Sequence, residues 1–500
     1  MDAEEKKGWN LIQLFLWMIQ FGAEFWLMFR IWKLNMLPGI FMGIVIFLMV
    51  FLLAVTFLGM SVYGIKRKGI FRKCIAALLS IVIIVVCVIS SNIVGKVSQT
   101  VDKVTDPTTV SQVVGVYVRK DDPAHTLEDA ADYIFAVTDS FDLYNSDQTV
   151  QKMKAELGKS LNIRNYPAVT DMVDALYMEE VGAIVMNEAY TDVLLDSESY
   201  MDFEDKTRLL YEYKIEVKNE ESVSEKTEER PITERTFIVY LSGSDTRSEI
   251  LRVSRSDVNI LMVVNPVSKQ ILLLNTPRDY YVPNPIGNGA LDKLTHCGIY
   301  GVENSMKTLS DLYGTQIDYY GQINFTGFEK LIDAIGGVTV YSEVDFTAAD
   351  GSKIHKGDNH LSGSSALGFA RERHNLSGGD NARGKNQMKV IKAIIDQISS
   401  GDMYLVTNYA SVMSSLQGMF ITNVSSEEIS ELVKMQLSDM AGWNVKSYAV
   451  TGEGGKHSTY SSPNNHTAYV MYPNTRTVNH ASALIEKVKS GEMLSDADVQ

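Results

Sequence analysis

The sequence predicts an α/β protein held to a membrane by an amino-terminal anchor. Three observations carry this. Three long apolar stretches lie before Lys96, and the rest of the chain reads as soluble. Beyond them, short apolar runs alternate with amphipathic helical patterns, as expected for sheets covered by helices. The alternation is interrupted by the charged segment Lys218 to Glu234, which contains Pro231 and divides a smaller α/β unit from a larger one. A chain of 500 residues exceeds one ordinary domain, in keeping with that division.

The first apolar stretch runs from Leu11 to Phe29 and carries Glu24. The second runs from Leu37 to about Val62 and the third from Ile75 to about Val94, both free of charged side chains. About 20 apolar residues cross a bilayer core, so the last two predict transmembrane helices. A lone glutamate is costly in lipid, which leaves the first stretch either as a third span or as a helix lying in the interface. Lys66, Arg67, Lys68, Arg72 and Lys73 lie between the second and third stretches, whereas the earlier loop holds Arg30 and Lys33. The denser loop belongs on the cytoplasmic side. That choice sends everything after Lys96 outward, as a multi-pass plasma-membrane protein with extracellular carboxy-terminal domains. One apolar region followed by two more also argues against a cleavable signal peptide.

The smaller unit is expected over 98–217, after an anchor at 1–97. Val113 to Val118 reads as a strand, Leu127 to Phe135 as helix, Met172 to Met178 as helix and Ala183 to Met186 as strand. A linker follows at 218–235. The larger unit begins with a buried strand, Phe237 to Leu241. Val258 to Val264 and Ile271 to Leu274 then form a hairpin about the turn Asn265-Pro266-Val267-Ser268-Lys269. Val302, Met306, Leu309 and Leu312 predict a helix closed by Gly314. Leu331 to Ile335 ends another before Gly336-Gly337, and Val338-Thr339-Val340 starts a strand. Met388, Ile391, Ile395 and Ile398 mark a further amphipathic helix. The result is a layered α-β-α unit of about 250 residues, with a core at 236–400, a remainder at 401–488 and a flexible tail at 489–500.

Net charge is −15, which excludes broad neutralisation of nucleic-acid phosphate and predicts no nucleic-acid partner. An anionic substrate must therefore meet a local cluster of cations. Such clusters flank the predicted strands, where α/β folds place their sites. They are Gly243-Ser244-Asp245-Thr246-Arg247, Arg255-Ser256-Asp257, Pro277-Arg278-Asp279, Lys293 in a loop, Arg371-Glu372-Arg373, and Asp380 to Gln387. If the strand from Leu367 continues, Arg371 and Arg373 share a face. Arg383 and Gln387 share a face at the start of a helix, whose N-terminus itself favours anions. Guanidinium groups bind phosphate oxygens in pairs, and the carboxylates of Asp245 and Asp257 suit a magnesium ion completed by water and phosphate. Arginines with a metal around a diphosphate are an electrostatic solution for phosphoryl transfer. A single Arg–Asp pair is more often a surface salt bridge. The conjunction of several points to an anion site.

In their order, these motifs resemble the LytR–CpsA–Psr family. So do Asn265-Pro266-Val267-Ser268-Lys269-Gln270, Thr276-Pro277-Arg278-Asp279, Lys293-Leu294-Thr295-His296-Cys297-Gly298, Ile335-Gly336-Gly337-Val338 and Leu361-Ser362-Gly363-Ser364-Ser365-Ala366-Leu367. The likeness covers about Thr236 to Ser400, and more loosely the remainder. The three-span start and the preceding unit resemble the capsule-assembly branch, with an accessory domain between membrane and catalytic domain. The resemblance implies a mixed central sheet and a transferase that moves a glycopolymer from a polyprenyl-pyrophosphate carrier to peptidoglycan. The export machinery of a capsule is a further partner it suggests. It implies that Asp245 and Asp257 hold Mg2+. It implies that Arg247, Arg255, Arg278, Lys293, Arg371, Arg373, Arg383 and Gln387 grip the diphosphate and its surroundings. Asp380 would orient an arginine or act as base, and a channel between sheet and helices would take the lipid tail, although the same apolar runs equally form a core. One departure is Asn386, where many relatives carry arginine; another is Gly384, a weak helix former in a first turn. The alternative class is a non-enzymatic regulator that binds the lipid carrier.

Other signals are weaker. Cys74, Cys87 and Cys297 imply no disulfide framework. His355 and His360 lack zinc spacing. Gly452 to His457 fails the spacing of a phosphate loop. Cys297 has no evident base beyond its neighbour His296.

Overall fold

The computed structural model describes residues 3–60, 67–105, 109–218, 230–246, 253–348, 350–373, 379–400, 412, 416, 418–463 and 466–500. The apolar stretches are helices α1 (Ala3–Leu34), α2 (Gly39–Met60) and α3 (Arg67–Thr105), and all three are long and apolar enough to cross a membrane. They pack through Leu27, Ile83 and Cys87 and turn side chains such as Phe15, Phe47 and Leu78 outward. Glu24 does not face outward. It is 2% exposed and accepts a hydrogen bond from Gln20 Nε2 at 2.7 Å. The charge that weakened the first stretch as a span is therefore held inside the bundle, where a polar group in a membrane helix is tolerated. Helix α3 also runs past the expected end of the anchor, to Thr105. Its Val97 and Val101 pack with Met36, Ile429 and Val433, so the extra turns carry a contact between the anchor and the soluble part.

The smaller unit contains β1 (Thr109–Arg119), β2 (Ile134–Thr138), α4 (Leu143–Leu157), β3 (Asn162–Tyr166), α5 (Val169–Tyr177), β4 (Ala183–Asn187), α6 (Thr191–Leu195) and β5 (Thr207–Lys218). The strand order is β3-β2-β4-β1-β5, with parallel pairs around β2 and antiparallel pairs around β1. Alternate residues of β1 face opposite sides: Val114, Val116 and Val118 pack with Met153 of α4, and Tyr117 with Met172 of α5. The helix expected over Leu127 to Phe135 is absent. Residues 127–132 form turns and Ile134 opens β2. Leu127 and Ala130 are buried, so their spacing reflects a compact turn stacked on the sheet.

The larger unit has a six-stranded mixed sheet. Its members are β6 (Phe237–Ser244), β7 (Val258–Asn265) and β8 (Gln270–Asn275), then β11 (Tyr319–Asn324), β14 (Phe420–Thr422) and β15 (Asn444–Ala449), in the order β14-β11-β6-β7-β8-β15. Between β8 and β11 lie a small hairpin, β9 (Tyr281–Pro283) and β10 (Leu291–Lys293), and helix α7 (Val302–Tyr313), closed by Gly314 at φ 65°. Then come α8 (Phe325–Ala334), β12 (Val338–Ser342), β13 (Gly357–Leu361), α9 (Gly363–Arg371) and α10 (Gly379–Ser399). The chain ends with α11 (Ser426–Asp439), a hairpin of β16 (Gly452–His457) and β17 (Ala468–Pro473), and α12 (Thr475–Ser490). The hairpin of β7 and β8 forms as expected: Asn265 Oδ1 accepts from the amides of Val267 and Ser268, each at 3.1 Å.

Helices cover both faces of this sheet. On one, Ile238, Tyr240, Leu272 and Leu274 pack with Leu309 of α7 and Leu484 of α12. On the other, Phe237, Val239, Ile271 and Leu273 pack with Met388 of α10. Strands buried on both faces read as continuous apolar runs, which explains why they were legible. Gly452 to His457 is strand β16, not a phosphate loop. The tail expected to be flexible is docked instead. Leu494 is 4% exposed, its amide donates to Gln270 Oε1 at 3.2 Å, and Asn444 Nδ2 donates to its carbonyl at 3.0 Å. Truncating a buried leucine forfeits burial and leaves a cavity. Leu494→Ala is expected to lower unfolding free energy by about 2–4 kcal/mol. Denaturant titration of the detergent-solubilised chain measures this, and a change below about 0.5 kcal/mol would contradict the docked tail.

Candidate active site

The charged motifs meet at one edge of the larger sheet, where β6, β8 and β11 end and β7 begins. Asp245 follows β6 and Asp257 precedes β7. The amide of Asp257 donates to the Gly243 carbonyl at 3.0 Å, which fixes the two carboxylates side by side. Gly243 lies against Val258, and a Cβ there would come within 2.8 Å of it. Arg278 follows β8. Lys293 is not in a loop as expected but closes β10, and the β9–β10 hairpin folds it inward until its side chain is only 4% exposed. Backbone bonds join these segments: Ser256 N donates to Thr295 O at 3.1 Å, and Thr295 N to Arg278 O at 2.8 Å.

The cations are neutralised in sequence. Arg278 Nη1 donates to Asp257 Oδ1 at 2.8 Å, and Thr295 Oγ1 to the same oxygen at 3.2 Å. Lys293 Nζ lies 2.9 Å from Asp279 Oδ1 and 2.8 Å from Asp196 Oδ2. Arg255 lies 3.9 Å from Asp245, 3.3 Å from Asp192 and 3.2 Å from Asp196. Burial disfavours the charged form of Asp257, but Arg278 and Arg255 outweigh it and hold its carboxyl below the usual range. Asp245 is pushed up, by burial first and by Asp257 second. Two neighbouring carboxylates completed by water and phosphate fit magnesium.

Arg371 and Arg373 do not sit on a strand. Residues 363–371 form α9, whose buried Ala366, Leu367, Phe369 and Ala370 follow helical spacing. The apolar run from Leu367 is too short to tell the two patterns apart in sequence. Arg371 ends α9 with its guanidinium carbon 4.6 Å from the centre of the Phe325 ring. Phe325 follows Asn324, the register partner of Ser244, so this arginine borders the end of β6. Arg373 follows on exposed, non-helical chain. Arg383 and Gln387 stand one turn apart on α10, both half-buried, and the charge of Arg383 reaches Asp257. Asp380 lies in the first turn of α10; its side chain, and all of Arg247, fall outside the described residues. Gly384 is a fit, not a weakness: a Cβ there would collide with the side chain of buried Asn275 at the end of β8. Asn386 is buried and donates to the Phe369 carbonyl at 3.2 Å, joining α10 to α9.

Residues 203–482 match the LytR_cpsA_psr family. The chain belongs to this family. Over 219 residues it is 31% identical to the polyisoprenyl-teichoic acid–peptidoglycan teichoic acid transferase TagU of Bacillus anthracis, covering 44% of this chain and 70% of that one. The Enterococcus faecalis TagU is 32% identical over 198 residues, covering 39% and 64%. Among solved structures, B. subtilis TagT is 26% identical with a TM-score of 0.42, covering 53% of this chain and 96% of that one. The matched residues run from just before β5 of the smaller unit to α12 of the larger one.

Residues missed in the sequence include Asp192 and Asp196, at and just after α6 of the smaller unit, and the pair Asp292–His296. Their only signal was the i, i+4 spacing of the last two. His296 is fully buried, with Nδ1 3.0 Å from Asp292 Oδ1 and Nε2 3.5 Å from Asp196 Oδ2. It faces these carboxylates. Cys297 Sγ instead lies 3.7 Å from the Lys293 carbonyl, and burial pushes that thiol up. Burial opposes protonation of His296, but Asp196 and Asp292 win and raise its pKa. A raised histidine stabilises the fold fully below its ordinary value of 6.5, and that stability is lost as pH climbs through the raised value. The melting advantage of wild type over His296→Gln should therefore shrink as pH rises above the ordinary value of 6.5, and an advantage growing with pH would contradict this. Gly384→Ala should cut turnover at least about tenfold, by pushing α10 and Arg383 away from β8, and steady-state kinetics read this directly.

Proposed function

We propose that this protein is a phosphotransferase moving a capsular or other anionic glycopolymer from a polyprenyl-pyrophosphate carrier to peptidoglycan at the outer face of the plasma membrane. The observation that carries this is the convergence of Arg255, Arg278 and Lys293 with Asp245 and Asp257 at one sheet edge. The activity named for the TagU relatives is of the same class. A diphosphate is the substrate group that such a cluster of buried cations fits, because guanidinium forks bind its oxygens in pairs and remain charged.

In this reading Arg255, Arg278, Lys293 and Arg383 bind the diphosphate, with Arg371, Arg373 and Gln387 beside them. A sugar hydroxyl of the wall attacks the phosphorus nearest the glycan. The new P–O bond forms as the bond to the polyprenyl phosphate breaks, and the hydroxyl proton passes to a base; Asp380 either takes that proton or orients an arginine. The cations oppose charge building on the leaving phosphate in a setting where such interactions are strong. Asp245 and Asp257 would hold magnesium, which when bound supplies further charge neutralisation at the leaving group.

The anchor supports outward placement. Lys434 Nζ of α11 donates to Asn35 Oδ1 at 2.6 Å, in the short loop between α1 and α2. The same helix packs on Val97 and Val101 of α3. The α1–α2 loop and the end of α3 thus lie on the side of the larger unit, while Arg72 and Lys73 begin α3 at the opposite end. With the basic end cytoplasmic, the site lies outside and close to a membrane-borne donor, which raises the donor's effective concentration.

The test is transfer of a saccharide from a polyprenyl-pyrophosphate donor to peptidoglycan fragments by the full chain, followed by mass spectrometry. Transfer should require magnesium, stop with chelator and resume on its return. Arg278→Ala should lower turnover by about 100-fold or more, the loss typical of removing a preorganised charge. Tight donor binding without transfer, with a donor and acceptor known to be competent, would make the protein a lipid-carrier-binding regulator instead.

A further inference from the structure

We propose that Asp196, contributed by the smaller unit, is a positioning residue of the diphosphate site, so that the two units share one active centre. The inference rests on the phosphotransferase reading above and adds a residue from outside the unit that carries the motifs.

The geometry begins with Arg255. Its nearest carboxylates are Asp196 at 3.2 Å and Asp192 at 3.3 Å, both from the smaller unit, whereas Asp245 of its own unit lies at 3.9 Å. Asp196 Oδ2 also lies 2.8 Å from Lys293 Nζ and 3.5 Å from His296 Nε2. One carboxylate thus faces three cation-capable groups from two separate motifs. The side chains of Lys293 and Arg255 are 4% and 10% exposed, and a buried cation without a fixed counter-ion is costly and mobile in direction.

The carboxylate is itself held rigidly. Val193 and Leu194 of α6 share an apolar cluster with Ile299 of the larger unit. Ser197 forms a β-bridge with Ala468, and Tyr200 Oη lies 3.1 Å from His466 Nε2. On the far side, His296 is braced by Asp292, which accepts from Ser461 Oγ at 2.6 Å and Asn284 Nδ2 at 3.2 Å. Asp196 therefore reports the seating of the smaller unit directly to two cations of the site.

Sign separates positioning from mere neutralisation. A negative charge beside the cations opposes a diphosphate by Coulomb's law. If Asp196 were only a competing anion, its removal would tighten binding. If it orients Arg255 and Lys293, its removal weakens binding, because forks that must be aligned in the complex lose the advantage of preorganisation.

The experiment uses the full chain in detergent and geranylgeranyl pyrophosphate as the probe, with calorimetric binding and donor kinetics for wild type, Asp196→Asn, Asp196→Glu and Asp192→Asn. For Asp196→Asn, probe Kd and donor KM should rise about tenfold or more, with acceptor KM unchanged and kcat within about threefold. Asp196→Glu, which restores the charge, should recover most of the loss. Unchanged or tighter binding in a folded Asp196→Asn overturns the proposal, as does failure of Asp196→Glu to recover. If Asp196→Asn does not fold, Asp192→Asn on the same guanidinium decides. Binding weaker by about threefold supports the proposal, and unaltered binding overturns it. Wild type that neither binds the probe nor transfers sinks the phosphotransferase reading, and this inference with it. Wild type that does both, beside an Asp196→Asn variant that matches it, sinks this inference alone.

Discussion

Burying several cations together is the constraint on which this structure depends. Arg255, Arg278 and Lys293 stand at one sheet edge with little access to water, and each requires a carboxylate within ion-pair distance. Asp257 answers Arg278, Asp279 answers Lys293, and Asp192 and Asp196 answer Arg255. The last two come from another unit, so charge balance in the site draws on carboxylates of both units. The buried Asp292–His296 pair extends the chain of contacts to Ser461, late in the sequence.

The fold makes this concentration of charge tolerable. The sheet carries apolar residues on both faces, and the helices that cover them leave the strand ends free to hold polar groups. Two small features set the spacing. Gly384 lets α10 come against Asn275, and Asn386 ties the same helix to the backbone of α9. The arginines of these helices approach the edge because the helices themselves can approach the sheet.

Anchor and soluble part are also coupled. Helix α3 extends beyond its apolar length to Thr105, and Val97, Val101 and Met36 pack with Ile429 and Val433 of α11. A rigid seat for the larger unit on the anchor restricts its height above the bilayer, in contrast to a tether of flexible chain.

The sequence by itself determined the three apolar helices, the α/β class, the hairpin at Asn265 to Lys269 and the motifs that gather at the strand ends. Each is a local property: apolar length, strand burial on two faces, turn chemistry, or charge beside a strand. It could not distinguish helix from strand at Leu367 to Arg371, because five residues satisfy either period. It read Leu127 to Phe135 as helix because tight turns can bury residues at helical spacing. It left the tail loose, since the hydrogen bonds of Leu494 are made to Gln270 and Asn444, far away along the chain. Only the tertiary structure decided that Asp192 and Asp196 join the cations. They sit about 60 residues or more before Arg255 and Lys293, in a unit without a motif of its own. Nothing in the local pattern of α6 distinguishes them from a solvated acidic pair. Their role follows from the packing of Val193 and Leu194 on Ile299, which carries two ordinary carboxylates into a buried set of positive charges.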